Sequence, residues 1–118
     1  MAAARRRRGV EVFMKGDIVV VPFPFSNLQG SKRRPALVLA DSGSGDLVLC
    51  QITSQNVKDR FAVSITPDDT GGKLLVNSNV RPNKLFTIEK SVILYKIGTL
   101  SNNKSTSVLA KLSELFGI

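Results

Sequence analysis

The stretch Ser31–Gln55 constrains this chain most. It reads Ser-Lys-Arg-Arg-Pro-Ala-Leu-Val-Leu-Ala, then Asp-Ser-Gly-Ser-Gly-Asp, then Leu-Val-Leu-Cys-Gln-Ile-Thr-Ser-Gln. Two apolar runs of β-type composition on either side of six turn-forming residues make a hairpin. Near-continuous apolar character in both arms implies burial on both faces. When the arms pair, Arg34 opens the first strand beside the place where Thr53 closes the second. A guanidinium and a hydroxyl are then expected at one rim of a small sheet, with Ser31, Lys32, Arg33, Ser54 and Gln55 around them. Such a group of donors suits a phosphate.

The flanking segments follow a similar pattern. Asp17–Val21 reads as a strand, introduced by a Lys15-Gly16-Asp17 turn and stopped by Pro22-Phe23-Pro24-Phe25. Phe23 to Lys32 is expected to be a loop with aromatic rings, suited either to stack an unpaired base or to plug the core. Phe61–Ile65 alternates as a further strand, Asp68–Gly72 is a turn, and Leu74–Val76 resumes strand character. Ser78–Pro82 interrupts again, before the apolar segments Lys84–Ile88 and Val92–Ile97. Short strands at roughly ten-residue spacing predict a compact, mostly antiparallel barrel. Val108, Leu109, Leu112, Leu115 and Phe116 then change the period to that of an amphipathic helix. Ser101, Asn102, Asn103 and Ser105 are candidates for its cap, and Gly117 for its stop. This helix is expected to close the barrel or a dimer face.

At 118 residues the chain is read as one domain, residues 14–118, behind a basic tail, residues 1–13. The net charge of +8 points to a polyanionic partner such as nucleic acid, ahead of an acidic membrane surface. Part of that charge is the run Arg5–Arg8, expected to be solvated and disordered. No apolar run is long enough for a signal peptide or a membrane span. Cys50, the one cysteine, sits in an apolar strand and reads as core. With no disulfide framework a cytoplasmic setting is favoured.

The missing chemistry narrows the function. There is no histidine, so a Cys-His dyad and a Ser-His-Asp triad are excluded, and a zinc site is not expected. Neither a Walker loop nor a dinucleotide fingerprint is present. Asp41 and Asp46, and likewise Asp68 and Asp69, lack the full spacing of a cation loop and read as turn residues. No metal and no cofactor is therefore expected. One reaction suits this toolkit: cleavage of RNA by its own 2′-hydroxyl, in which nucleophile and phosphate both belong to the substrate. Arg34 is placed to clamp the phosphate and Thr53 to donate to a non-bridging oxygen. The general base is left among Asp17, Gln55 and an activated water.

The order Lys15-Gly-Asp-Ile-Val19, Gly30-Ser-Lys-Arg-Arg-Pro-Ala-Leu-Val-Leu39, Ile52-Thr-Ser-Gln55, Ser78-Asn-Val-Arg-Pro82 and Lys84-Leu85 resembles the MazF/PemK family of toxins from bacterial toxin–antitoxin systems. The resemblance runs from about Lys15 to Phe116. It implies an SH3-like barrel of antiparallel strands with a C-terminal helix, a homodimer, and metal-independent, sequence-specific cleavage of single-stranded RNA restrained by a cognate antitoxin. By position it assigns Arg34 to holding the phosphate with an acid/base part, and Thr53 as the second catalytic residue. Ser78 and Gln55 become RNA contacts, and Phe23–Lys32 the segment that shapes RNA access. The arginine-rich tail and the Pro-Phe-Pro-Phe loop depart from the pattern. A related barrel that poisons DNA gyrase by protein contact is the alternative, and would concentrate its function in the C-terminal helix.

Overall fold

The computed structural model describes residues 6–7, 10–23 and 32–118. Ser31 and most of the aromatic loop lie outside the described residues. Eight strands occur in chain order: β1 Arg6–Arg7, β2 Val10–Glu11, β3 Asp17–Phe23, β4 Lys32–Asp41, β5 Asp46–Thr53, β6 Val63–Ile65, β7 Ser78–Glu89 and β8 Tyr95–Thr99. A 15-residue helix, α1, spans Asn102–Phe116. β1 and β2 pair only with each other, and the other six form one antiparallel sheet in the order β6-β7-β5-β4-β3-β8. The sheet curls into a half-closed barrel, and α1 lies across it.

Strand alternation divides the core in two. Ile18, Leu37, Cys50, Ile52 and Val80 point to one face, where Val108 of α1 and Leu74 cover them. Val19, Val21, Ala36, Val38, Leu47 and Leu49 point to the other, under Phe13 and Phe23. Both faces are sealed, so the hairpin strands read as unbroken apolar runs. Each fully buried Leu or Ile here contributes about 1.5–3 kcal/mol relative to an exposed one. Phe13, grouped with the tail in the sequence, is only 5% exposed and belongs to the packed domain.

Several strand limits differ from the sequence reading: the segments expected at Phe61–Ile65 and Val92–Ile97 are Val63–Ile65 and Tyr95–Thr99, and three further departures have a clear backbone reason. β3 does not stop at Val21, because Pro22 and Phe23 pair with Arg33 and Lys32. The β8 ladder ends at Val20, so the amide that Pro22 lacks has no partner to lose on that side. Leu74–Val76 forms no strand. It is tied back to the preceding 3-10 turn, where the Thr70 hydroxyl donates to the Pro67 carbonyl (2.8 Å) and accepts from the Leu74 N–H (2.9 Å). Ser78–Pro82 is no break but the start of β7. The register steps from Gln51↔Arg81 to Cys50↔Leu85, so Pro82, Asn83 and Lys84 bulge out of the ladder and the proline costs it no donor.

The helix is bounded as its sequence predicts. The Ser101 hydroxyl accepts from the Lys104 N–H, and Gly117 takes the left-handed conformation at φ 73°. Val108 is buried, whereas Leu109 and Phe116 are exposed. Among the described residues no helix is long and apolar enough to cross a membrane.

Candidate functional site

The site is made by two strands parting. β4 and β5 share the pairs Leu37↔Cys50 and Ala36↔Gln51, where their ladder ends. Continuing that register by two residues sets Arg34 opposite Thr53, on the same side of the pleat as Ala36 and Gln51. Past this point Arg34 pairs only with Val21 of β3, and Thr53 only with Asn79 of β7. The strands diverge, and the gap opens as a cavity of about 600 Å3.

Arg34, Thr53, Lys32, Arg33, Gln55 and Ser78 all line that cavity. Ser31 lies outside the described residues. Arg34 is half-buried and, among the described residues, its guanidinium has neither a hydrogen bond nor an ion pair. The Thr53 hydroxyl accepts from the Gln55 N–H (3.2 Å), so its own proton remains available to donate. Ser78 is placed differently from its neighbours. It is buried, and its hydroxyl donates to the Val76 carbonyl (3.1 Å), so towards a ligand it is left as an acceptor.

A second cavity of about 370 Å3 lies on the other side of the same rim. Arg34, Ile52, Thr53 and Gln55 line both, so they form a ridge between the two. The second cavity adds Gln51, Arg81 and Lys84, of which the two cations escaped the sequence reading as site residues. Their signal was the interrupted β7 itself: Gln51 pairs with Arg81, and the bulge delivers Lys84. The first cavity also gains Lys73 and an apolar wall of Leu74, Leu75, Val76, Tyr95 and Ile97, none of it foreseen.

Among the described residues neither cavity is lined by a carboxylate. Lys32, Arg33, Arg34, Lys73, Arg81 and Lys84 line the two cavities, and Arg81 also pairs with Asp59 (3.4 Å). The Phe61 N–H first, then Arg81 and other donors, hold the Asp59 carboxyl below the usual carboxylate range. Asp17, weighed above as a base, lines neither cavity. It is buried and holds the β3 turn, accepting from the Met14 N–H (2.8 Å) and pairing with Lys96 (3.1 Å). Cys50 is fully buried, and burial pushes its thiol up to about 12, so it is no nucleophile. Among the described residues no three His, Cys, Asp or Glu side chains gather in a way that would hold a metal ion.

Fold and rim together define a small basic half-barrel with a cation-lined mouth. A family model described as PemK-like, MazF-like toxin of type II toxin–antitoxin system matches residues 14–116, and the chain belongs to that family. Solved structures share the fold. An endoribonuclease from a mycobacterial species superposes with a TM-score of 0.72 at 13% identity, covering 92% of this chain and 95% of that one. A mycobacterial endoribonuclease in complex with its cognate antitoxin gives 0.71 at 14%, covering 91% and 97%. MazE–MazF from Deinococcus radiodurans gives 0.70 at 24%, covering 87% and 94%. No curated protein sequence matches the chain. At these identities the structural likeness speaks for the fold and leaves the roles of individual residues to the geometry above.

Proposed function

We propose that this chain is the endoribonuclease of a toxin–antitoxin pair, cutting single-stranded RNA at particular sequences without a metal. The observation that carries this reading is the ridge: an Arg34 guanidinium with no partner among the described residues and a Thr53 hydroxyl with a proton to give, shared by two cavities that no described carboxylate lines. A phosphodiester seated there meets a planar bidentate cation and a neutral donor, the arrangement that stabilises charge growing on the non-bridging oxygens.

In the proposed reaction the substrate's 2′-oxygen attacks phosphorus and the bond to the 5′-oxygen breaks, leaving a 2′,3′-cyclic phosphate and a 5′-hydroxyl. The proton of the 2′-hydroxyl leaves to solvent in the cavity, since no carboxylate lines it and the chain has no histidine. Arg34 holds the phosphate and covers the leaving 5′-oxygen, which takes up a proton from solvent in the cavity. Lys32, Arg33 and Gln55 hold the flanking backbone, and Ser31 is proposed with them by its place in the sequence. Ser78, which lines the same cavity and holds Val76 through its hydroxyl, is proposed as a further RNA contact.

The partners proposed are a cognate antitoxin and a second copy of the chain. Some structural neighbours are themselves toxin–antitoxin complexes, which supports the first. The exposed Leu109 and Phe116 on α1 support the second.

The test is cleavage of a mixed-sequence single-stranded RNA in EDTA by the native chain and by Arg34→Ala. Cutting by the first and none by the second is expected, and a substrate with 2′-deoxyribose at the cut site should resist. Intact RNA together with stalled DNA gyrase would replace this reading with the gyrase-poison alternative.

A further inference from the structure

The apolar wall of the larger cavity has no part in the chemistry above. We propose that Tyr95, with Leu75 and Val76, forms a stacking platform that takes the unpaired nucleobase next to the phosphate held at Arg34. This rests on the ribonuclease reading and names a residue that would select or anchor its substrate.

Register fixes where the ring stands. Tyr95 opens β8 opposite Val20 of β3, and Val20 in turn faces Pro35 of β4, the neighbour of Arg34. The Tyr95 backbone is thus two strands from the cationic rim, roughly 10 Å at the usual strand spacing; its side chain shares the pleat face of Pro35, and it and Arg34 both line the larger cavity. Its side chain is 49% exposed and, among the described residues, has no ring partner or hydrogen bond. Leu75 is 82% exposed and Val76 54%, held out on the turn that Thr70 ties down. Three apolar side chains left in water around one mouth are unfavourable for an isolated protein and mark a contact surface.

The lining of the cavity favours a nucleotide as occupant. Cations, the polar side chains of Thr53, Ser54 and Gln55, and the apolar and aromatic side chains of Leu75, Val76 and Tyr95 all line it. A nucleotide combines a phosphate, a sugar and a flat base, which call for those three kinds of contact. Stacking on an aromatic ring is how unpaired bases are generally held. A volume of about 600 Å3 falls within the usual range for a ligand site.

Tyr95 is the only tyrosine and the chain has no tryptophan, so tyrosine emission reports this position alone. The native chain is titrated with a fluorescein-labelled, all-2′-O-methyl oligonucleotide that cannot be cut, following anisotropy and tyrosine emission together. Emission should change saturably in step with binding, Tyr95→Ala should bind about 5- to 150-fold more weakly, and Tyr95→Phe should bind like the native chain. Binding without a tyrosine response, equal binding by Tyr95→Ala, or no binding would overturn the platform. So would a tyrosine response to an acidic, leucine-containing peptide but not to the oligonucleotide, which would give this wall to a protein partner. RNA cleavage is scored separately. If the native chain cuts and Tyr95→Ala cuts with the same KM, the platform fails and the ribonuclease stands; if the native chain does not cut, the ribonuclease reading itself fails.

Discussion

The carboxylate of Asp17 and the ammonium of Lys96 face each other at 3.1 Å, with side chains only 4% and 14% exposed. This pair fastens β3 to β8 beneath the sheet and removes from catalysis the one acid that the Lys-Gly-Asp turn brings near the hairpin. Replacing Asp17 by Asn leaves a largely buried ammonium without its counter-charge. We expect a loss of about 3–5 kcal/mol of stability in urea unfolding, with kcat per folded molecule unchanged. A large fall in kcat at full stability would instead make Asp17 part of the chemistry.

Among the described residues the cavity is lined by no carboxylate, and the chain has no histidine, so neither of the common general bases stands ready there. The cleavage rate should therefore rise about tenfold per pH unit from pH 5.5 to 8, following hydroxide, instead of tracing a bell with a base between pH 6 and 7. Single-turnover rates across that interval decide it, and a plateau near pH 6.5 would reveal a base absent from the cavity lining.

Arg34→Lys keeps the charge but loses the planar fork. If the guanidinium grips two phosphate oxygens at once, the variant should cut on the order of 10²-fold more slowly while RNA binding at low salt changes little. Thr53→Val, which preserves shape and removes the donor, should cost a similar factor in kcat. Single-turnover kinetics with saturating enzyme separate these losses from binding.

Acid should weaken the fold in a residue-specific way. Asp59 is ionised more easily in the folded chain than its ordinary value of 3.8, because the Phe61 N–H, together with Arg81 and other donors, holds the charge. Its contribution is therefore fully present above that ordinary value and lost as pH falls through the depressed one. Thermal midpoints measured from pH 6 down to 2.5 should drop less for Asp59→Asn than for the native chain.

Gly98 ties the sheet to the cavity wall. A Cβ there would stand 3.0 Å from the Thr70 carbonyl oxygen and 3.2 Å from the Lys73 side chain. Gly98→Ala is expected to cost about 1–3 kcal/mol and to push the turn carrying Lys73, Leu75 and Val76 outward. Calorimetry measures the first effect, and a raised KM for RNA the second.

The order of residues alone determined the β-class, the central hairpin and the capped terminal helix. Each is a local matter: alternation, turn chemistry and helical periodicity act within a few tens of residues, and the hairpin carries Arg34 and Thr53 to the same end of the sheet, where the two strands part. Three features depended on longer-range contacts. Pro22 was tolerable in β3 because β8 ends at Val20, and Pro82 because β7 bulges at that point. Asp17 was withdrawn by a lysine far along the chain, and Arg81, Lys84, Lys73 and Tyr95 reached the rim from strands and turns up to about sixty residues away from Arg34. Local sequence dictates which backbone a segment prefers, whereas a cavity is the space left between segments, and only their packing decides which side chains face it.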